Sequence, residues 1–130
     1  MKTLIVEDDP TCCVLLQTIL EEYGPVQTAG NGKQAIEIVR ESLNKKEPFN
    51  LICMDIMMPE MNGQQAVSAI RTMEEEREMF SNGATIIMTT SIDDEESAKI
   101  AYANFCDLYV VKPIEKGPLL EELRKLGLIK

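Results

Sequence analysis

Five polar residues follow short apolar runs, and together they could handle a phosphoryl group. Leu4-Ile5-Val6 leads into Glu7-Asp8-Asp9, and Leu51-Ile52-Cys53-Met54 leads into Asp55. Ile86-Ile87-Met88-Thr89 leads into Thr90-Ser91, and Tyr109-Val110-Val111 into Lys112-Pro113. Glu7, Asp8 and Asp55 offer three carboxylates, which repel one another when packed together unless a cation lies among them. The ligands on offer are all oxygens, so a hard cation is expected, and Mg²⁺ first among them. Lys112 adds a fixed positive charge and Thr90 a hydroxyl donor. Aspartate can accept a phosphoryl group covalently. A metal and a lysine would offset the charge that develops on the group in transfer.

Each residue taken alone has a plainer explanation. Asp8 or Asp9 could cap a helix, and Asp9 stands directly before Pro10. Asp55 could be a turn former ahead of Met58-Pro59. Thr90 could be a strand-end hydroxyl and Lys112 a surface lysine. Their joint placement argues otherwise. All sit at the carboxyl ends of apolar runs, the edge at which open α/β sheets bind ligands.

The elements that would position them are legible. Apolar runs at 3–6, 25–29, 50–54, 84–89 and 108–111 have strand length and are rich in Ile, Val, Leu or Met. Continuous runs of this kind suit strands buried on both faces of a parallel sheet. Between them lie five helix candidates. The first starts at Pro10 with Asp9 as N-cap, buries Cys12, Leu16, Ile19, Leu20 and Tyr23, and stops at Gly24-Pro25. The second covers about 33–44, with Ala35, Ile36, Val39 and Leu43 inward. The third runs over about 64–80 and ends in Ser81-Asn82-Gly83. The fourth starts near Asp93 or Asp94, and the fifth covers about 117–126, ended by Gly127. Strict β-α alternation predicts an α/β sandwich with right-handed crossovers. The run Glu74-Glu75-Glu76 reads as a solvated helix face.

Composition narrows the function. The 130 residues suit one domain, 1–130, large enough to bury a real core. A net charge of −9 disfavours nucleic acid and anionic membrane surfaces. The chain has no histidine, which excludes a Ser-His-Asp triad, a His-ligated zinc and a histidine phosphoryl carrier within it. Cys12, Cys13, Cys53 and Cys106 form no C-x-x-C pair and read as reduced thiols, mostly core fillers. The N-terminus is too brief for a signal peptide, and no apolar stretch approaches the ~20 residues of a bilayer span. The expectation is a reducing, cytoplasmic setting.

The whole chain resembles the receiver domain of two-component response regulators. The matching motifs are Leu4–Asp9, the run Met54-Asp55-Ile56-Met57-Met58-Pro59-Glu60-Met61-Asn62-Gly63, the pair Thr90-Ser91, and Tyr109-Val110-Val111-Lys112-Pro113. The resemblance implies a flavodoxin-like (βα)5 sandwich with a five-stranded parallel sheet in order 2-1-3-4-5. It implies that Asp55 is the phosphoacceptor, and that Glu7, Asp8, Asp55 and the Met57 carbonyl hold Mg²⁺. By the same resemblance Thr90 bonds the phosphoryl oxygen, Lys112 pairs with Asp55 and the phosphoryl group, and Tyr109 is the switch aromatic. The Lys112–Pro113 bond is often cis in such domains. The implied partners are a histidine kinase or histidine phosphotransfer protein and an unidentified target. The implied output face is the fourth helix, fifth strand and fifth helix.

Several positions depart from the family pattern. Glu7 replaces a frequent Asp, Ser91 a frequent Ala, and the 71–83 stretch is longer than usual. Met57 and Ile92 stand where hydrolysis is commonly tuned. Both are apolar, so slow loss of the phosphoryl group is expected. A haloacid-dehalogenase-like phosphatase would want a second carboxylate where Met57 stands. A flavin site would want a Ser/Thr/Gly-rich loop in place of Glu7-Asp8-Asp9-Pro10. A pseudo-receiver would lack part of the five-residue set. The chain ends soon after its fifth helix, so the expectation is a stand-alone regulator, acting on a target or relaying the phosphoryl group, as a monomer or a weak phosphorylation-dependent dimer.

Overall fold

The runs at 3–6, 51–55 and 85–90 become strands because burial on both faces leaves the sheet ladder as the partner for their backbone groups, whereas those at 26–29 and 108–111 form the sheet's edges and are only partly buried. The computed structural model describes residues 1–56, 63–79, 83–91 and 106–130. Its strands are β1 (Thr3–Val6), β2 (Val26–Ala29), β3 (Leu51–Asp55), β4 (Thr85–Thr90) and β5 (Leu108–Val111). Every pairing is parallel, in the order β2-β1-β3-β4-β5. The expected doubly wound fold and its strand order are therefore present.

Helices α1 (Pro10–Leu20), α2 (Gly32–Asn44), α3 (Gly63–Glu76) and a C-terminal helix (Lys116–Lys125) cover the sheet. Strand alternation decides which helices each side chain meets. Leu4, Val6, Ile52, Met54, Ile86 and Met88 share a core with Ala35 and Val39 of α2 and Val67 and Ile70 of α3. Ile5, Cys53 and Ile87 face the other way, toward Leu16, Ile19 and Leu20 of α1 and Leu119 and Leu123 of the C-terminal helix. The fourth expected helix falls outside the described residues.

The helix ends follow local chemistry. Asp9 Oδ1 accepts the Thr11 amide at 3.0 Å, and Asn31 Oδ1 accepts the Gln34 amide at 2.8 Å. Asp9 is thus the cap of α1, and Glu21–Tyr23 form a 3₁₀ turn before Gly24. Helix α2 ends with the amides of Glu47 and Lys46 bonded back to Ser42 and Leu43, and Lys46 has a φ of 60°. Helix α3 ends likewise, with the Met79 and Glu78 amides on the Glu74 and Glu75 carbonyls and a φ of 57° at Glu78. This is the paired bonding of a left-handed helix terminus, where glycine is the usual residue.

Two expectations are corrected here. Helix α3 stops at Glu76 rather than Phe80, because the left-handed Glu78 closes it. Glu74 is not on a solvated face: it is 5% exposed. Its carboxylate takes Arg71 Nη1 at 2.8 Å and the Ala84 amide at 2.8 Å. Arg71 also donates to the Ala84 carbonyl and to Asp107 Oδ2, which accepts the Ile86 amide. This network ties α3 to the amino-terminal edge of β4 and β5, opposite the carboxylates of the other edge.

Candidate functional site

All five strands point the same way, so their carboxyl ends share one edge. The register pairs Val6 with Met54, Asp55 with Thr89, and Thr90 with Val111. Asp55 and Thr90 are the last residues of their strands, one place further in than the sequence reading put them. The ladder continues past β1 and β5: the Glu7 amide donates to Ala29 at 3.0 Å and the Lys112 amide to the Thr90 carbonyl at 2.7 Å. Ile56 donates to the Thr89 carbonyl at 3.1 Å, fixing the backbone directly after Asp55. Glu7, Asp55, Thr90 and Lys112 therefore leave from hydrogen-bonded backbone.

Glu7, Asp8 and Asp55 each present a carboxylate oxygen within 4.8 Å of the others. Glu7 and Asp55 are buried at 4% and 5% exposure, while Asp8 is open to solvent. Lys112 reaches across from β5. Its Nζ lies 3.2 Å from Glu7 Oε1, 3.1 Å from Glu7 Oε2 and 3.6 Å from Asp55 Oδ1. Burial pulls the ammonium down, but the Asp55 and Glu7 carboxylates outweigh it and hold Lys112 above the ordinary lysine value. Among the described residues one cation thus faces three carboxylates, an excess of negative charge at the edge.

That arrangement fits a hard divalent cation. The donors are oxygens, they converge, and a single lysine leaves their combined charge only partly balanced. Asp9 is spent on the α1 cap, which separates it from Glu7 and Asp8. Met57 and Ile92 lie outside the described residues, so the Met57 carbonyl and the expected hydrolysis-tuning pair are not located here.

The remaining expected residues lie on or beside β4 and β5. Thr90, 2% exposed, donates its hydroxyl to the Ser91 carbonyl at 3.2 Å. Tyr109 is half-buried on the α2–α3 side of the sheet. The Lys112–Pro113 peptide is cis. The thiol of Cys12, in α1, is pushed up to about 12 by burial, with Glu7 adding to it. It is a neutral neighbour of the acids, and all four cysteines are free.

Two contributors were not assigned a role from sequence. Gly63 opens α3, its amide bonded to the Ile56 carbonyl at 2.9 Å. A Cβ there would lie 2.6 Å from the Asp55 carbonyl oxygen and 3.0 Å from Ile56 Cα, so a glycine lets the helix seat against the end of β3. Thr89 is the second, a buried hydroxyl beside Asp55 in the register. Glycine at 63 belonged to a recognised motif, but its close approach is visible only in three dimensions.

A doubly wound parallel sheet with an acid cluster and a lysine at its carboxyl edge has the layout of an open α/β protein that binds its ligand at that edge. The profile of the response regulator receiver domain matches residues 3–124. The chain is 36% identical over 123 residues to the chemotaxis protein CheY of Halobacterium salinarum, covering 94% of this chain and 92% of that one. It is 32% identical over 125 residues to the sensor histidine kinase GacS of Pseudomonas protegens, covering 95% of this chain but only 13% of GacS. Among solved structures, the receiver domain of the response regulator Ssk1 of Saccharomyces cerevisiae, crystallised with the phosphotransfer protein Ypd1, superposes with a TM-score of 0.80 at 26% identity, covering 98% and 88% of the two chains. The chain belongs to the response regulator receiver domain family of two-component signalling. Its members are signalling proteins rather than conventional enzymes, and no helix among the described residues is long and apolar enough to cross a membrane.

Proposed function

We propose that Asp55 accepts a phosphoryl group from the phosphohistidine of a histidine kinase or phosphotransfer protein. The observation that carries this reading is the Lys112 ammonium set between the buried carboxylates of Glu7 and Asp55, within a convergent group of three acids. An Asp55 carboxylate oxygen forms the new O–P bond. The N–P bond of the donor breaks, its electron pair returns to the histidine nitrogen, and that nitrogen takes up a proton. Mg²⁺, held by Glu7, Asp8, Asp55 and the Met57 carbonyl, would supply charge neutralisation at the phosphoryl oxygens.

The chain's own groups do the rest. Lys112 keeps its proton and offers the phosphoryl oxygens a fixed charge. Thr90 leaves the Ser91 carbonyl and donates to a phosphoryl oxygen, and Tyr109 turns inward as that space opens. The added charge of roughly −1.5 to −2 biases a two-state element rather than building a new one. The output face is the fourth helix, β5 and the C-terminal helix. A groove of about 370 Å³ along it, lined by Tyr109, Val111, Pro113 and Leu119, supports that choice. On α1, Val14 and Leu15 are 61% and 41% exposed, an apolar patch suited to a protein donor.

The same reading gives a single domain over 1–130, cytoplasmic, without nucleic-acid or membrane binding, as a monomer or a weak dimer formed on phosphorylation. Incubation with acetyl phosphate and Mg²⁺ tests it. The wild-type chain should gain the mass of one phosphoryl group and Asp55→Asn none; equal uptake by both overturns the assignment.

A further inference from the structure

Thr89 is 2% exposed, and its hydroxyl has no hydrogen-bond partner. A buried hydroxyl left unpaired costs stability that an isosteric valine would not. Its position in the sheet says what the hydroxyl is for. Thr89 is the direct cross-strand partner of Asp55. Strand alternation turns its side chain, like that of Ile87, toward α1 and the C-terminal helix, and turns Thr90 the other way. Val110, the register partner of Thr89, packs on this same face, and alternation puts Lys112 there too, where its Nζ reaches Asp55 and Glu7. Neighbouring parallel strands lie about 4.8 Å apart, so a χ1 rotation brings Thr89 Oγ1 within reach of an Asp55 carboxylate oxygen.

We infer that Thr89 is a positioning residue for Asp55: its hydroxyl donates to the Asp55 carboxylate when Lys112 moves from that carboxylate to the incoming phosphoryl group. The two threonines then divide the work. Thr90 serves the phosphoryl oxygens, and Thr89 holds the acceptor carboxylate in the attacking orientation from the opposite face of the sheet. Thr89 adds a donor to the Asp55 carboxylate from that face without adding charge.

Thr3 provides an internal control. It is also fully buried with an unpartnered hydroxyl, but it starts β1 at the opposite edge, paired with Val26 and Leu51. Both of those register partners are apolar, with no acid to orient.

The inference rests on Asp55 being the acceptor, and the experiment separates the two claims. Phosphorylation rates with phosphoramidate and Mg²⁺ are measured for wild type, Thr89→Val, Thr89→Ser and Thr3→Val, alongside urea midpoints. Thr89→Val should phosphorylate about ten-fold more slowly while unfolding at an equal or higher midpoint. Thr89→Ser should recover most of the rate, and Thr3→Val should keep the wild-type rate. Should Thr89→Val not fold, Thr89→Ala against Thr89→Ser makes the same comparison. A Thr89→Val rate equal to wild type overturns the Thr89 inference alone, as does a Thr89→Ser rate as low as that of Thr89→Val. A wild-type chain that takes up no phosphoryl group overturns both claims.

Discussion

Replacing Gly63 by alanine sets two physical effects against each other. Helix propensity favours the change by up to about 1 kcal/mol, because alanine costs less backbone entropy than glycine in a helix. Packing opposes it. The new Cβ would lie 2.6 Å from the Asp55 carbonyl oxygen, about 0.8 Å inside the 3.4 Å at which ordinary contact begins. Met88 Cε, at 2.8 Å, is the end of a flexible side chain and can move away; the Asp55 carbonyl and Ile56 Cα are backbone and cannot. Either the start of α3 or the end of β3 must therefore shift by several tenths of an ångström. Overpacking of this kind costs about 1–3 kcal/mol, so after the full propensity gain the net change should be a loss of up to about 2 kcal/mol. Since a misplacement of 1 Å can slow a reaction about a hundred-fold, the shift at Asp55 should slow phosphorylation at least several-fold. Urea unfolding gives the first quantity and single-turnover phosphorylation with acetyl phosphate the second. A Gly63→Ala chain that is more stable than wild type and phosphorylates at the same rate would show that the close approach to Asp55 is not what requires glycine.

Other outcomes follow from the same structure. Glu78→Gly and Lys46→Gly should each stabilise the chain by about 0.5–1 kcal/mol, measured as a raised urea midpoint, because both residues hold a left-handed conformation that glycine adopts freely. Glu74→Ala should cost about 1–3 kcal/mol, because it leaves the buried Ala84 amide without its acceptor. Alkaline pH should destabilise the fold through its thiols. Burial pushes Cys53 up to about 12 from an ordinary 9.0. Between those values the folded chain keeps a proton that the unfolded chain releases, so stability is full below pH 9 and falls as pH rises. The slope from Cys53 is about 1 kcal/mol per pH unit. Cys53→Ala should flatten that slope in urea titrations run between pH 9 and 11.

The fold was legible because its signals are local. Five apolar runs of strand length alternate with helical spacing, and parallel pairing followed from their lack of polar alternation. The carboxyl-edge residues were legible for the same reason, as each ends an apolar run. What escaped depends on tertiary distance. Glu74 reads like Glu75 and Glu76, and only the approach of Ala84 and Arg71 buries it; the Arg71–Glu74 spacing of three was the available hint. The left-handed Glu78 that shortens α3 has no sequence signature, since glycine is the residue such a position announces. Gly63 and Thr89 act through what lies across the sheet from them, which no spacing along the chain encodes.

The account stands most directly on which atom carries the phosphoryl group. Borohydride reduction of the chain labelled with acetyl phosphate and Mg²⁺ converts an acyl-phosphate aspartate to homoserine, and peptide mass mapping then locates it. The account predicts homoserine at position 55 and aspartate unchanged at positions 8 and 9. Homoserine at another position, or a phosphoryl group that resists reduction because it sits on a hydroxyl, would contradict it.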